Sequence, residues 1–223
     1  IEKRGRFSLA LSGGETPRPV YSRLASPQLR QAIDWSRVFI YFGDERCVPP
    51  RDTRSNYLMA RTVLFDQIPI KQTNIFRIHG EDPPEKAARD YENVLCNAFG
   101  VQSSEEGGPR EGLDLILLGM GENGHTASLF PGSGAVSETK RWVMAVYVET
   151  ASMWRITTTP LVINAARQVA FLVSGTAKAE MLSHVIEGPF QPAVLPAQSV
   201  RPTRGKLLWM VDRQAAARLR MQT

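Results

Sequence analysis

The fold is decided by a stretch at residues 113–125 that reads LDLILLGMGENGH. Its first half, Leu113 to Leu118, is a short apolar run of the kind that forms a strand buried on both faces of a parallel sheet. Three glycines follow within six residues, and the stretch ends at His125. A buried strand is therefore predicted to lead directly into a flexible loop that carries a histidine.

The same pattern, an apolar run followed by a Gly or Asp turn, recurs four more times along the chain. The other runs are Phe7 to Leu11, Val38 to Phe42, Val169 to Val173 and Leu207 to Val211. Helix-like segments follow at Pro19 to Leu24, Ala177 to Ile186 and Ala215 to Leu219. Strands that alternate with helices predict an open, mostly parallel α/β sheet, and we expect residues 1–223 to form one domain.

Two further helices are predicted from the residues at their ends. An Asp-Pro-Pro start, apolar residues at helical spacing and a glycine stop predict a helix from Asp82 to Gly100. Ser55 is predicted to cap another helix that runs through Met59 to Phe65. The polar, Gly-rich segment from Val101 to Gly112 is predicted to be a surface loop.

The composition is that of a globular protein, with 43% hydrophobic and 22% charged residues. No apolar stretch approaches the roughly 18 residues of a membrane span, so we expect no membrane partner. A solvated surface with dispersed arginines explains the net charge of +5, and no motif indicates nucleic-acid binding. That charge also suits a small anionic substrate, and charge alone does not decide between these explanations.

The cysteines and targeting signals indicate a cellular compartment. Cys47 and Cys96 are too few for a disulfide framework, which fits a reducing environment. No signal peptide opens the chain, so a cytoplasmic location is the default expectation. No spacing of His and Cys residues resembles a metal site, and we expect no metal.

Ligands of open α/β sheets bind beyond the carboxyl ends of the strands, so the turns are where chemistry is expected. The first turn, at residues 12–17, reads SGGETP. Gly13 and Gly14 would let the backbone approach an anion, and N–H groups at the start of the next helix would point at it. A tight strand-to-helix connection explains the same residues as well, and no Walker or dinucleotide-binding motif is present.

The second turn, Gly43-Asp44-Glu45-Arg46, places two carboxylates beside a guanidinium. Arg46 suits bidentate recognition of a phosphate or carboxylate, although a salt-bridged turn is the more frequent outcome of such a sequence. Cys47 follows directly, and no histidine lies nearby in the sequence. We therefore expect a partly buried, unreactive thiol at Cys47.

His125 is the strongest candidate for chemistry. A histidine titrates near neutrality, so it can take a proton from water without a large change in pKa. A structural histidine bonded to loop backbone is the alternative, and the surrounding glycines and polar residues favour the catalytic role. His79 lies in a polar turn and His184 lies within a helical pattern, so both are weaker candidates.

Two other basic residues follow predicted strands or precede helices. Lys178 ends the sequence Ser174-Gly175-Thr176-Ala177-Lys178, which repeats the anion-binding pattern. We expect Lys178 in the first turn of a helix, where its charge opposes the helix dipole, and this placement hints at a functional task. Arg155, in Arg155-Ile156-Thr157, stands alone and could simply be exposed.

Taken in order, these blocks resemble the 6-phosphogluconolactonases, a family related to glucosamine-6-phosphate deaminase. Any single block is weak, but the ordered set is specific and runs along nearly the whole chain. The blocks are LSGG with TP (11–14 and 16–17), GDER with VP (43–46 and 48–49), SNY (55–57), GHTASLFP (124–131), RIT (155–157), AKA (177–179), LPA (195–197) and GKL (205–207) before Trp209.

The resemblance implies a Rossmann-like three-layer α/β/α fold with a mostly parallel sheet, of the NagB/RpiA/CoA-transferase-like type. It implies hydrolysis of 6-phospho-D-glucono-1,5-lactone to 6-phospho-D-gluconate in the oxidative pentose phosphate pathway, without a metal or organic cofactor. The implied catalytic residues are His125, which activates water, together with Asn123, Arg46 and Asp44. The implied substrate-binding residues are Ser12, Gly13, Gly14, Thr16, Arg46, Gly124, Arg155 and Lys178.

Three features depart from the pattern of that family. Asn123 stands where the family usually has Asp, and an amide can orient an imidazole but cannot stabilise an imidazolium by charge. Asp44 or Glu45 could compensate. Ala151 to Trp154 replace a Pro-rich segment before Arg155, and we expect the N-terminal helix of the family to be missing.

Two other functions fit parts of the same pattern. Amino-sugar-phosphate deaminases or isomerases share the Gly-His turn but usually continue His-Ile-Ala-Phe-Asn-Glu-Pro, and Thr126 to Pro131 lack that acidic residue. A non-catalytic sugar-phosphate sensor would keep the anion loops, but His125 and the absence of a helix-turn-helix segment disfavour it. The expected partner is a phosphorylated sugar lactone, and the expected state is a monomer or weak homo-oligomer.

Overall fold

The structure is a computed structural model, and it describes residues 1, 4–102, 104 and 108–220. The strands are β1 (Phe7–Leu11), β2 (Val38–Phe42), β3 (Asp44–Arg46), β4 (Leu115–Gly119), β5 (Val143–Val148), β6 (Met153–Thr158), β7 (Gln168–Val173) and β8 (Lys206–Val211). The α-helices are α1 (Arg18–Leu24), α2 (Pro27–Ala32), α3 (Asn56–Val63), α4 (Pro84–Phe99), α5 (Pro160–Ala165) and α6 (Ala179–Glu187).

Five strands form a parallel sheet in the order β2-β1-β4-β7-β8. They correspond to the five apolar runs of the sequence, so the mostly parallel α/β fold is confirmed. From β1 the chain moves outward to β2, and from β4 it moves the other way to β7 and β8. The loops that follow β1 and β4 therefore diverge, which opens a crevice of the kind that binds ligands in such sheets.

A second, antiparallel sheet in the order β3-β6-β5 was not predicted. Residues 43–46 are not a free turn, because Asp44–Arg46 pair with β6 and place Arg46 directly opposite Arg155. Gly43 joins the two sheets: its N–H donates to the Leu11 carbonyl at 3.0 Å, and its carbonyl accepts from the Thr158 N–H at 2.9 Å. The second sheet thus reaches the carboxyl end of β1.

The predicted ends of α3 and α4 are partly confirmed. The Ser55 hydroxyl accepts from the Leu58 N–H at 3.1 Å and caps α3 as predicted, but the helix ends at Val63 and not at Phe65. The predicted start of α4 at Asp82 is wrong. Residues that precede a proline avoid helical dihedrals, so Pro83 is extended and the helix begins at Pro84. Gly100 ends α4 with φ +71°, as expected of a C-terminal glycine.

Two predicted helices are shorter than expected. Thr176–Lys178 form a 3₁₀ turn, so Lys178 precedes α6 and does not lie in its first turn. Ala215–Arg218 are likewise only a 3₁₀ turn. The described part of the 101–112 segment contains no helix or strand, as predicted, while residues 103 and 105–107 lie outside the described residues.

Two buried tyrosines tie helices to the ends of strands. The Tyr21 hydroxyl of α1 donates to the Ser12 carbonyl at 2.8 Å and accepts from the Ser12 N–H at 3.0 Å. The Tyr91 hydroxyl of α4 makes the same pair of bonds to Phe42, at 3.0 and 2.7 Å. Burial raises the pKa of both phenols, so both stay protonated and able to donate. The starts of the loops after β1 and β2 are therefore held firmly.

The remaining fold-level predictions concern the membrane and the cysteines. No helix in the described ranges is long and apolar enough to cross a membrane. Cys47 and Cys96 are both unpaired, and Cys47 is partly buried as predicted. Burial, reinforced by the charge of Glu45, raises the pKa of Cys47 to about 11, which keeps the thiol protonated and unreactive at neutral pH.

Candidate active site

A cavity of about 250 Å³ lies beyond the carboxyl ends of β1 and β4. Most of the predicted site residues line it: Ser12, Gly13, Gly14, Thr16, Asp44, Arg46, His125, Arg155 and Lys178. Two predicted residues do not. Asn123 is exposed and bonds His125, while Gly124 packs beside Leu195 and Met181. The turns of both sheets thus converge on one site.

A larger cavity, of about 590 Å³, lies near the amino ends of β1 and β4. Its lining includes five aromatic residues, among them the stacked pair Tyr41 and Phe76. The described residues that line it include no histidine, lysine or cysteine, and their single carboxylate, Glu111, pairs with Arg4 and Arg167. The groups able to act in proton transfer are therefore concentrated in the smaller cavity.

The hydrogen bonds of His125 fix its tautomer. Asn123 Oδ1 lies 2.6 Å from His125 Nδ1 and also accepts from the His125 backbone N–H at 3.2 Å. A backbone N–H can only donate, so the shared atom is an oxygen and Nδ1 must carry the proton. The lone pair of neutral His125 therefore resides on Nε2, which makes Nε2 the atom able to accept a proton.

The His125 imidazole is neutral at physiological pH and stays neutral well into the acid range. Burial lowers its pKa to about 4, because the charged imidazolium is costly to desolvate. The negative charge of Asp44 acts in the opposite direction, while Arg155, Lys178 and Arg46 add to the lowering. The histidine is thus available as a base at neutral pH, and Asp44 is the group that would favour its protonated form.

Gly121 makes room for the imidazole. A Cβ atom at this position would lie 2.0 Å from His125 Nδ1. Gly13 plays the same role for Asn56, whose Oδ1 would lie 1.8 Å from an added Cβ. The backbone N–H groups of Gly13 and Gly14 donate to no acceptor within the described chain. They remain available to an anion or to a carbonyl oxygen in the cavity.

Three cations face the cavity. Arg46 and Arg155 are cross-strand neighbours, and Arg46 is anchored by a 2.5 Å bond from Nη1 to the Arg54 carbonyl. Arg155 is partly buried and not simply exposed, and burial lowers its pKa. Lys178 lies 3.7 Å from the exposed carboxylate of Glu122. Like charges opposite each other on a sheet are destabilising, so this arrangement favours an anionic ligand.

Buried polar atoms without partners cluster at the same place. Among the described residues, five buried side-chain atoms lack a hydrogen bond, and four of them belong to cavity residues. These four are Ser12 Oγ, Arg46 Nε, Asn56 Oδ1 and Arg155 Nε. Buried polar groups in folded proteins are nearly always satisfied, so this concentration marks the cavity as the candidate ligand-binding site.

The two carboxylates of the 43–46 segment have different tasks. Asp44 accepts from the Ser128 hydroxyl at 2.7 Å and from Asn56 Nδ2 at 3.2 Å, and it lines the cavity. Glu45 faces α3 and accepts from the backbone N–H groups of Asn56 and Tyr57 at 2.7 and 2.8 Å. Glu45 therefore caps a helix and cannot replace the missing aspartate beside His125, whereas Asp44 can.

Sequence reasoning missed three residues that shape the site. Asn56 orders Asp44, Ser128 donates to Asp44, and Phe130 stacks on His125 with ring centroids 4.2 Å apart. All three lie within the family-like blocks SNY and GHTASLFP. A polar residue directly after the helix cap Ser55 was a usable signal for Asn56, but nothing local indicated the partners of Ser128 or Phe130.

Nearly the whole chain matches known proteins. The family model described as glucosamine-6-phosphate isomerases/6-phosphogluconolactonase matches residues 1–209. A 6-phosphogluconolactonase of Synechocystis is 39% identical over 99% of this chain and 88% of its own. The crystal structure of 6-phosphogluconolactonase from Thermotoga maritima is 30% identical, covers 94% of this chain and 87% of its own, and superposes with a TM-score of 0.79.

A monomeric glucosamine-6-phosphate deaminase superposes with a TM-score of 0.81 over 98% of this chain and 90% of its own. Its sequence is only 22% identical, so this likeness concerns the fold alone. The family model and the two closer relatives cover most of the chain and agree with the ordered motifs. The chain belongs to the glucosamine-6-phosphate isomerase/6-phosphogluconolactonase family.

Proposed function

We propose that this protein hydrolyses 6-phospho-D-glucono-1,5-lactone to 6-phospho-D-gluconate, with His125 as the base that activates water. The observation that carries the proposal is the position of a neutral His125, oriented by Asn123, in a cavity ringed by Arg46, Arg155 and Lys178. Relatives named 6-phosphogluconolactonase support the same activity. The reaction is the one implied by the resemblance of the sequence blocks.

The cations of the cavity suit the phosphate of such a substrate. Arg46 and Arg155 lie on adjacent strands with unsatisfied Nε atoms, and Lys178 approaches from the turn before α6. A phosphate dianion between the two guanidiniums would relieve their mutual repulsion and accept charge-assisted hydrogen bonds. Binding energy from the phosphate would then orient the lactone carbonyl toward His125.

The chemical step follows from the tautomer of His125. Nε2 takes a proton from water as the water oxygen attacks the lactone carbonyl carbon, and the carbonyl oxygen becomes an oxyanion. Collapse of this intermediate breaks the bond to the ring oxygen, which takes a proton from the imidazolium. The gluconate carboxyl then ionises. Asp44 stabilises the transient imidazolium by its charge, the task for which Asn123 is unsuited.

Stabilisation of the oxyanion requires donors at the cavity wall. The free N–H groups of Gly13 and Gly14 meet this requirement, because both residues line the cavity and neither N–H is bonded within the described chain. Preorganised donors of this kind contribute strongly to catalysis because they need no reorganisation during the reaction. We assign the oxyanion to this loop.

A lactonase assay tests the proposal. The lactone would be generated in situ, 6-phosphogluconate followed through a coupled dehydrogenase, and spontaneous hydrolysis subtracted. We expect the wild type to turn over the lactone, and we expect kcat of His125→Ala to be lower by about 100-fold or more. Wild-type turnover at the spontaneous rate would refute the activity, and an active His125→Ala variant would refute the base.

The deaminase alternative is not favoured, and ammonia release from glucosamine 6-phosphate is the assay that tests it. We further propose that the chain acts as one domain in the cytoplasm, as a monomer or weak homo-oligomer. Light scattering at micromolar concentration would test the last point. A stable oligomer there would refute it.

A further inference from the structure

We propose that Phe130 is a positioning residue for this reaction: its ring fixes the plane of the His125 imidazole and sets the place of the Arg155 guanidinium beside it. The inference rests on the proposed function, in which His125 and Arg155 serve the same substrate. Phe130 itself is absent from the cavity lining, so it acts through these two neighbours.

The geometry of the three side chains carries the proposal. The rings of His125 and Phe130 are stacked, with centroids 4.2 Å apart and planes 21° apart. The Cζ atom of Arg155 lies 5.5 Å from the centroid of the same phenyl ring. One aromatic ring therefore contacts both the candidate base and one of the candidate phosphate ligands.

Stacking supplies a constraint that the Asn123 hydrogen bond lacks. The bond from Nδ1 to Asn123 Oδ1, 2.6 Å long, fixes one atom of the imidazole but leaves the ring free to tilt about it. A parallel phenyl face removes that freedom, because offset stacking favours one ring plane. The two contacts together direct Nε2, the proton acceptor, to one point in the cavity.

Phe130 also helps to keep water away from the imidazole. Burial is the main reason for the low pKa of His125, and the phenyl ring covers one of its faces. The charged groups that act on His125 are Asp44, Arg46, Arg155 and Lys178. Arg155 contacts Phe130, and because its charge lowers the His125 pKa, displacement of its guanidinium would change that pKa in the same direction as hydration of the ring. Removing the phenyl face should therefore raise the pKa through hydration of the ring.

The test compares Phe130→Leu, which keeps apolar bulk but loses the flat face, with Phe130→Tyr, which keeps the face. We expect kcat to fall about 3- to 10-fold and KM to rise in the leucine variant, and the tyrosine variant to match the wild type. Equal impairment of both variants, or wild-type kinetics for Phe130→Leu, would overturn the proposal.

A second readout does not depend on activity. In ¹⁵N-histidine NMR, the exposed His79 and His184 are internal references for His125. We expect the His125 titration midpoint to move toward neutral pH in Phe130→Leu but not in Phe130→Tyr. The control is Phe171→Leu. It breaks a different stack, between Phe171 and Trp209, whose ring centroids are 4.0 Å apart and which do not line the cavity. This variant should leave the His125 titration midpoint unchanged. An unmoved midpoint in folded Phe130→Leu would contradict the inference.

The wild type provides a final check if the leucine variant does not fold. Stacking on Phe130 predicts ring-current upfield shifts for the ring protons of His125, compared with those of His79 and His184. Ring protons of His125 at ordinary positions would overturn the geometry. If the wild type lacked lactonase activity, these spectra would still report on the stack, so failure of the function and failure of this inference are distinguishable.

Discussion

Replacing Asn123 by aspartate would place a carboxylate against the imidazole in an otherwise unchanged site. The present amide oxygen lies 2.6 Å from His125 Nδ1, so an aspartate of the same shape can keep this hydrogen bond and add a negative charge. An aspartate is also the residue that the resemblance to the family leads us to expect two positions before the histidine. We expect the variant to have a more basic His125 and a higher kcat.

The size of the effect follows from the geometry and the exposure of the site. Two unit charges 4 Å apart interact by about 4 kcal/mol at an effective dielectric constant of 20. Asn123 is exposed to solvent, which reduces this figure toward the roughly 1 kcal/mol of a surface pair. A gain of about 1.4 kcal/mol corresponds to a tenfold rise in the proton affinity of the imidazole.

The assay is the pH dependence of kcat for the wild type, Asn123→Asp and Asn123→Ala. The wild-type rate should stay flat from neutral pH down to about pH 5, because His125 titrates at about 4. In Asn123→Asp the fall in kcat at acid pH, the acid limb of the profile, should occur closer to neutral pH. At pH 7.5 kcat should rise a few-fold, and by no more than the roughly tenfold gain in the basicity of His125. Asn123→Ala should lose about 3- to 10-fold in kcat.

If the fall in kcat at acid pH occurred at the same pH in Asn123→Asp as in the wild type, this reasoning would be refuted, since the added charge would then have no effect on the proton affinity of His125. A wild-type profile that already bends near pH 6.5 would refute the burial argument for His125. A fall in kcat with a correctly displaced limb would show instead that a strong base is not what limits the rate.

Three further predictions concern stability and packing. His125 alone should make the free energy of unfolding about 2 kcal/mol lower at pH 5 than at pH 7.5, because its pKa is lower in the folded protein and only the unfolded chain binds a proton between the two pKa values. Urea unfolding of the wild type and of His125→Gln at both pH values would measure this contribution. The same pH dependence in both proteins would contradict it. Gly121→Ala should lower kcat tenfold or more, because the added Cβ would lie 2.0 Å from His125 Nδ1. Gly134→Ala is the control: no atom lies within 4 Å of the Cβ added there, so kcat should stay at the wild-type value. Glu45→Gln should destabilise the fold by about 1–3 kcal/mol in urea unfolding, because an amide cannot accept from both N–H groups at the start of α3; an unchanged midpoint would count against this capping role.

The parallel sheet was predictable because each of its strands is a continuous apolar run before a Gly or Asp turn. The antiparallel sheet was not, for physical reasons that differ between its strands. β3 has only three residues, Asp44–Arg46, all charged. β6 mixes Arg155 with Ile156 and threonines, since its residues face both the cavity and the core. Such strands are specified by the surface they join and not by their own hydrophobicity.

The candidate site was predictable in its location but not in its internal contacts. Residues at the ends of strands, such as His125 and Arg46, can be identified from the sequence around them. Ligands of such sheets bind at the strand ends, and chemistry there requires particular residue types. The bond from Ser128 to Asp44 joins residues 84 positions apart, and the stack of Phe130 with Arg155 depends on β6, a strand that the pattern did not reveal. These contacts belong to the tertiary structure, so no local spacing could indicate them.

The glycines of the site show how one sequence signal can have two causes. Gly13 and Gly14 were both expected to let the backbone approach an anion. Gly14, with φ +91° and open space around it, fits that expectation. Gly13 has ordinary φ, and a side chain there would collide with Asn56. Gly121 is likewise required by the neighbouring imidazole of His125. Two of the three glycines are therefore fixed by side chains of the site, so a substitution at either would misplace Asn56 or His125 before it affected any ligand.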